Sequence, residues 1–161
     1  VSADFRDPAR SAQVALVTDL PEHALFVRGD RVRLAQLVGN LLHNALKFTG
    51  PGGEVAVSLR SEPEGGRVSL TVADTGIGIP QELLPSIFET FVQGEQSLDR
   101  SAGGLGLGLA LVKGLAELHG GEVAVSSDGP GCGACFTLTL PRADEPVPAV
   151  PAGGRVGEAH A

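Results

Sequence analysis

The stretch Asp30–Thr49, DRVRLAQLVGNLLHNALKFT, reads as one uninterrupted helix and sets the terms for the rest of the chain. Asp30 is a good N-cap, and Thr49-Gly50-Pro51 supplies a stop. At about 100° per residue, Leu34, Leu37, Val38, Leu41, Ala45 and Phe48 fall on one apolar face, while Arg33, Gln36, Asn40, Asn44 and Lys47 fall on the opposite side. The polar side is the unusual one. Asparagine is a mediocre helix former, yet two stand one turn apart with a lysine three residues on. Amide oxygens can coordinate a hard cation such as Mg²⁺, and a lysine can meet phosphate. On this helix alone, a plain solvent-facing stripe competes with a ligand-binding face.

Around the helix the pattern changes period. Residues 1–12 are polar and read as an irregular connector. Segments 13–18 and 24–28 are predicted as short strands joined by a Pro-containing turn. Segments 54–60 and 67–72 alternate with period two about the turn at 62–66, which predicts an antiparallel hairpin with one buried face. A short helix is predicted over 81–91, with Ile87, Phe88 and Phe91. Residues 92–102 are polar, glycine-flanked and without periodicity, and are expected to be mobile. A second helix follows residues 103–108 and ends near His119 at Gly120-Gly121. Segments 122–126 and 134–140 predict a last hairpin. Beyond Pro141 the composition turns to Pro, Ala, Gly and Glu, so residues 142–161 are expected to form a disordered tail or linker.

Composition narrows the function classes. The 161 residues are 42% hydrophobic, enough for one globular domain, here placed at residues 13–141. No apolar run reaches the ~18 residues of a membrane span, and no secretory pattern opens the chain. A net charge of −7 argues against nucleic acid and against direct contact with anionic membranes. A cytoplasmic location is therefore expected, compatible with a membrane anchor elsewhere in a longer protein. The absence of any methionine also points to a segment of a longer protein. With 23 glycines, six phenylalanines and no tryptophan or tyrosine, the core must be mostly Leu, Val and Ala, and glycine must gather in turns and ligand loops. Cys132 and Cys135 form a lone C-x-x-C, which cannot complete a four-ligand zinc site and is read as two reduced thiols at a hairpin.

Two further stretches carry chemistry. Asp74-Thr75-Gly76-Ile77-Gly78 ends a strand with a carboxylate and two glycines, so backbone can approach a flat ligand while Asp74 accepts a hydrogen bond, with an adenine amine as the obvious donor. A simple Asp-Thr-Gly turn is the competing reading. Gly104-Leu105-Gly106-Leu107-Gly108 opens a helix and leaves backbone N–H groups free to face phosphate. It has neither the strand context of a dinucleotide fold nor the lysine of a P-loop.

Taken in order, Asn40–Thr49, Asp74–Pro80, Ile87–Phe91 and Gly103–Lys113 resemble the N, G1, F and G2 boxes of the sensor histidine kinase catalytic domain, in the wider group shared with gyrase B, Hsp90 and MutL. The resemblance covers about residues 13–141 and overrides the solvated-stripe reading. It implies an α+β fold: a two-layer sandwich, with a mixed, mostly antiparallel sheet, about three helices on one face, and ATP held beneath a flexible lid. It implies that Asn44 coordinates Mg²⁺ with help from Asn40, that Lys47 meets phosphate, and that Asp74 binds the adenine N6 amine. Gly76 and Gly78 would let the chain pass the base, and Ile79 would cover it. Gly104, Gly106 and Gly108 would line the triphosphate, with backbone contacts from Leu105 and Leu107, and Arg100 is a further phosphate candidate.

Asn40 separates the activities within that group. Hydrolysing relatives carry a glutamate one turn before the metal-binding asparagine, whereas an amide cannot take a proton at neutral pH. The resemblance therefore implies phosphotransfer to histidine, with Asn40 and Lys47 as the catalytic pair. None of His23, His43, His119 and His160 stands in the family's acidic, helical acceptor pattern. The acceptor is expected on a dimerisation and phosphoacceptor helix domain preceding residues 1–12, with a response-regulator receiver downstream. An anti-sigma-factor-type serine kinase and an inactive nucleotide-binding scaffold are the alternatives of the same fold.

Overall fold

Three alternating runs set the sheet. Val55 and Val57 are buried in β3 (Glu54–Glu62), Val68 and Val72 in β4 (Arg67–Asp74), and Phe136, Leu138 and Leu140 in β6 (Ala134–Ala143). The register places Val57 opposite Val72, Val72 opposite Phe136, and Val68 opposite Leu140. One face of the sheet is thus a continuous apolar surface that must be covered.

The computed structural model describes residues 2–62, 66–89 and 108–143. Its strands run in the order β1-β3-β4-β6-β2, with β1 at Ala15–Asp19 and β2 at Phe26–Val27, and β5 (Glu122–Ser126) also pairs with β6. Only β1 (Ala15–Asp19) against β3 is parallel among these ladders. The apolar face is covered by α1 (Arg6–Ser11), α2 (Arg31–Phe48) and α3 (Gly108–Leu118), whose Ala9, Leu37, Leu41, Leu42, Val112 and Leu115 share one core with Val55, Val72 and Leu138. This is the expected two-layer α+β sandwich. No helix among the described residues is long and apolar enough to cross a membrane.

Helix α2 begins and ends where its residues dictate. The Asp30 carboxylate accepts hydrogen bonds from the amides of Val32 (2.8 Å) and Arg33 (3.1 Å), and Thr49 closes the helix with its hydroxyl donating to the Ala45 carbonyl at 2.6 Å. The buried arc is wider than the expected stripe: Leu42 and Leu46 are in the core, whereas Phe48 is 40% exposed. Packing against α3 as well as the sheet widens the arc. The two helices run antiparallel, since the Asp30 amide at the start of α2 donates to Nε2 of His119, just past the end of α3, at 3.2 Å. His119 Nδ1 lies 2.7 Å from the Leu115 carbonyl, which can only accept, so Nδ1 carries the proton and Nε2 the lone pair.

Several boundaries differ from expectation. Residues 1–12 are not an irregular connector: a 3-10 turn, Ser2–Phe5, leads into α1, because Ala9 (2% exposed) and Phe5 find apolar partners in the core. The two short strands before α2 shrink to Ala15–Asp19 and Phe26–Val27 and part company, β1 joining β3 and β2 the end of β6. That pairing takes Arg142 and Ala143 out of the expected tail and into β6. The helix expected from residue 81 reduces to a 3-10 turn, Leu84–Ser86, with Pro85 inside it. Phe88 still anchors this segment edge-on to Phe136, with ring centroids 6.2 Å apart. The expected lid at 92–102, Phe91, and residues 144–161 lie outside the described residues.

The cap gives a prediction. Backbone donation from Arg33 and Val32 lowers the pKa of Asp30 in the folded state. A lowered folded pKa adds stability above the unfolded value, and that stability is lost as pH falls through the folded value. Asp30→Ala should therefore lower the melting temperature at neutral pH, and the deficit should shrink on acidification. A deficit that is the same at every pH in thermal melts would contradict the capping role.

Candidate functional site

Alternation along β4 places Asp74 on the same face as Val68, Leu70 and Val72, which is the face covered by helices. Its neighbours in register are Val55 and Ala134. The carboxylate therefore stands where an apolar side chain would ordinarily end the ladder, and burial pushes its pKa up. Backbone donors oppose that shift, from Gly76 at 2.8 Å to Oδ1 and from Ala134.

After Asp74 the backbone docks on the end of α2. The Ile77 amide donates to the Phe48 carbonyl at 3.1 Å, satisfying a carbonyl that the helix leaves without an internal partner. Thr75 is pinned to Glu54: its amide donates to the Glu54 carbonyl at 3.0 Å and its hydroxyl accepts from the Glu54 amide at 2.9 Å. The approach is too close for side chains. A Cβ at Gly76 would collide with the Phe48 carbonyl oxygen, and one at Gly78 (φ +71) with the Gly129 carbonyl oxygen. The sequence-expected glycines are thus required, here by protein backbone on both sides.

The second support was not read from the sequence. In the connection between β5 and β6, Gly131 N–H donates to the Ile77 carbonyl (2.7 Å) and Gly133 N–H to the Gly76 carbonyl (3.1 Å). Ser127 Oγ accepts from the Ile79 amide (3.0 Å) and the Gly129 amide (3.3 Å) while donating to the Gly133 carbonyl (2.6 Å). The signal was present as alternating glycines, Gly129, Gly131 and Gly133, beside the C-x-x-C that drew attention instead. Cys132 is exposed, Cys135 half-buried, and both thiols are free, as expected.

Asn40, Asn44 and Lys47 come together on one side of α2 and are half-buried. Neither amide has a hydrogen-bond partner among the described residues, and the Lys47 ammonium lies 5.1 Å from the centre of the exposed Phe48 ring. Half-buried amides without a partner among the described residues are suited to an external ligand. Gly108 opens α3. At about 1.5 Å per residue, the step back from His119 to Gly108 equals the step forward from Asp30 to Leu41, so the N-terminus of α3 stands level with Asn40. Ile79 packs beside the core at the far end of the Asp74 loop. Arg100, Gly104, Leu105, Gly106 and Leu107 lie outside the described residues. Among the described residues no cluster of three or more His, Cys, Asp or Glu could hold a metal.

A half-buried carboxylate at a sheet end and a half-buried amide face on α2 form the candidate ligand site of this α+β sandwich. The family model for histidine kinase-, DNA gyrase B-, and HSP90-like ATPases matches residues 29–144, and the chain belongs to this family. It is 46% identical over 138 residues to the sensor protein DivL of Caulobacter vibrioides, a match covering 86% of this chain and 17% of that protein. It is 43% identical over 139 residues to the circadian input-output histidine kinase CikA of Synechococcus elongatus, covering 85% of this chain and 18% of the relative. The chain thus spans less than a fifth of either relative. Among solved structures, the mycobacterial sensor histidine kinase MprB superposes with a TM-score of 0.75 at 33% identity, covering 88% of this chain and 91% of that one. Full-length ShkA in complex with AMPPNP gives a TM-score of 0.76 at 33% identity, over 91% of this chain and 29% of that one. The domain is of the catalytic, ATP-binding kind found in sensor histidine kinases.

Two substitutions in this site should move stability in opposite directions. A folded pKa raised by burial means that ionised Asp74 costs stability, a cost absent below the unfolded pKa and complete above the folded one. Asp74→Asn should therefore raise the melting temperature of the nucleotide-free domain at neutral pH, with the gain vanishing on acidification. Ser127→Ala should lower the melting temperature, with a loss of folding free energy of about 1–3 kcal/mol, since the Ile79 and Gly129 amides lose their acceptor. Destabilisation by both at neutral pH would show that the Asp74 carboxylate is held for structure.

Proposed function

We propose that this domain binds Mg-ATP and transfers the γ-phosphate to a histidine on a separate dimerisation and phosphoacceptor helix domain of the same protein, for passage to a response-regulator receiver. The observation that carries the reading is Asp74, a carboxylate retained at cost on the helix-covered face, whose loop docks by backbone on the end of α2. In this reading Asp74 accepts a hydrogen bond from the adenine N6 amine. Gly76 and Gly78 keep the passing chain clear of the base, and Ile79 covers it. Lys47 meets phosphate oxygens, and Asn44, assisted by Asn40, holds the metal. Gly104, Leu105, Gly106, Leu107 and Gly108 line the triphosphate, joined by Arg100. Magnesium, when bound, supplies the charge compensation that a chain of net charge −7 needs near a polyphosphate.

The histidines agree with an acceptor elsewhere. His119 has both ring nitrogens engaged between α3 and α2, and His43 and His23 are exposed at positions remote from an acidic helical motif. Asn40 sets the reaction type. It can orient but cannot deprotonate a water, so the site favours an acceptor needing no base, as a neutral imidazole does.

Calorimetric titration with ATP should show Mg²⁺-dependent binding that weakens on Asn44→Ala and on Asp74→Asn, the latter by about 1.5–3 kcal/mol, as for a charge-assisted bond. With a separately supplied phosphoacceptor helix pair, the wild type should phosphorylate histidine and release little phosphate. Asn40→Glu should bind ATP less tightly, transfer less and hydrolyse slightly more. Rapid hydrolysis by the wild type without histidine phosphorylation would replace the kinase reading with that of an ATPase.

A further inference from the structure

The first turn of α2 takes one of its acceptors from another helix. In a capping box the N-cap side chain accepts from the amides beyond it, as the Asp30 carboxylate does from Val32 and Arg33, while a Glu or Gln at the third helical position accepts from the amide of the N-cap itself. The third position here is Arg33, a side chain with no acceptor, and its Nη1 donates to Gln36 Oε1 at 3.2 Å instead. The Asp30 amide is left to His119, 89 residues further along the chain, whose Nε2 accepts from it at 3.2 Å.

His119 is held for that contact from both sides. Its Nδ1 donates to the Leu115 carbonyl at 2.7 Å, which orients the ring and turns the Nε2 lone pair toward Asp30. A Cβ at Gly29 would collide with the ring, so only glycine lets the chain entering α2 come this close. Just past the ring, the Gly121 amide donates to the Ala116 carbonyl at 2.9 Å, and a Cβ at Gly121 would collide with the Thr139 carbonyl oxygen in β6. The C-terminal end of α3 is therefore placed against both α2 and β6. Along its length α3 is held by the apolar side chains of Val112, Leu115 and Ala116, and helices packed in this way slide by small shear motions. Against α2, it is the directed bond at His119 that opposes such sliding.

We propose that His119 is a positioning residue for the phosphate end of the site: standing in for the acceptor that α2 lacks, it fixes α3 along α2 and so sets Gly108, at the start of α3, against Asn40 and Asn44. The inference rests on the nucleotide reading above for its ligand, and on the hydrogen bonds just given for its geometry. The base end has a separate attachment, since the Asp74 loop docks on the Phe48 carbonyl at the opposite end of α2. From Asp30 to Phe48 is roughly 27 Å at about 1.5 Å per residue. Loss of His119 therefore weakens the hold on the phosphates and spares the hold on adenine.

The test measures AMP and ATP binding, each with Mg²⁺, by calorimetric titration. His119→Ala should weaken ATP about tenfold, as for one charge-assisted hydrogen bond, and AMP by less than about twofold. His119→Gln, whose amide oxygen can accept from Asp30, should recover most of the loss. Adding Arg33→Gln to His119→Ala supplies the absent acceptor within α2: it should restore the melting temperature, while ATP affinity, read against Arg33→Gln alone, stays about tenfold down. If His119→Ala is too unstable to titrate, the double variant carries the comparison. With no nucleotide present, amide exchange along residues 112–119 should be at least about fivefold faster than wild type in both His119→Ala and the double variant. Equal losses of AMP and ATP, an unchanged ATP affinity, an ATP affinity that returns together with the melting temperature in the double variant, or exchange along α3 equal to that of the wild type would each overturn the proposal. Failure of the wild type to bind ATP would instead fall on the proposed function, leaving the exchange result to decide whether His119 fixes α3.

Discussion

The site depends on one carboxylate held against its own solvation. Asp74 stands at the end of a row of buried residues in β4, where strand alternation forces its side chain toward the helices. Everything next to it acts to keep it there: donors from Gly76 and Ala134 offset part of the desolvation, Thr75 ties the next residue to β3, and the Phe48 carbonyl and the Gly131 and Gly133 amides fix the loop beyond. A group retained at a cost to stability, with its surroundings arranged around it, is what a binding function leaves in a fold.

Helix α2 links that carboxylate to the rest of the site. Its last turn receives the Ile77 amide, so the positions of Asn44 and Lys47 relative to Asp74 are set by main-chain bonding and not by side-chain packing alone. Its first turn is joined to α3 through His119, and a Cβ at Gly29 would collide with the His119 ring. The antiparallel pair of helices brings the N-terminus of α3 level with Asn40, at the end of the stretch that would face phosphate.

Much of this was legible in the sequence because it follows from period and local chemistry. The caps at Asp30 and Thr49, the alternation of β3, β4 and β6, and the grouping of Asn40, Asn44 and Lys47 require only residue order. What escaped depended on distant partners. Nothing local distinguishes α1 from a connector, since its stability comes from the pocket that receives Ala9 and Phe5. Arg142 and Ala143 are strand because β2 comes to pair with them. Phe48 fits the apolar face by angle, yet its ring is exposed because the Asp74 loop occupies the helix end through backbone. Ser127 showed no pattern at all, its role residing in bonding its own loop, at Gly129 and Gly133, to the remote Ile79 amide.

The central claim, that Asp74 is kept inside the domain for the amine of adenine, is tested most directly by a chemical double-mutant cycle. Calorimetry would compare ATP with the purine riboside triphosphate that lacks the exocyclic amine, in wild type and in Asp74→Asn. The account predicts that removing the amine costs the wild type about 1.5–3 kcal/mol and costs Asp74→Asn much less, giving a clear coupling between the two groups. Equal losses in the two proteins would contradict it, and Asp74 would then be a structural carboxylate in a site that recognises its base by other means.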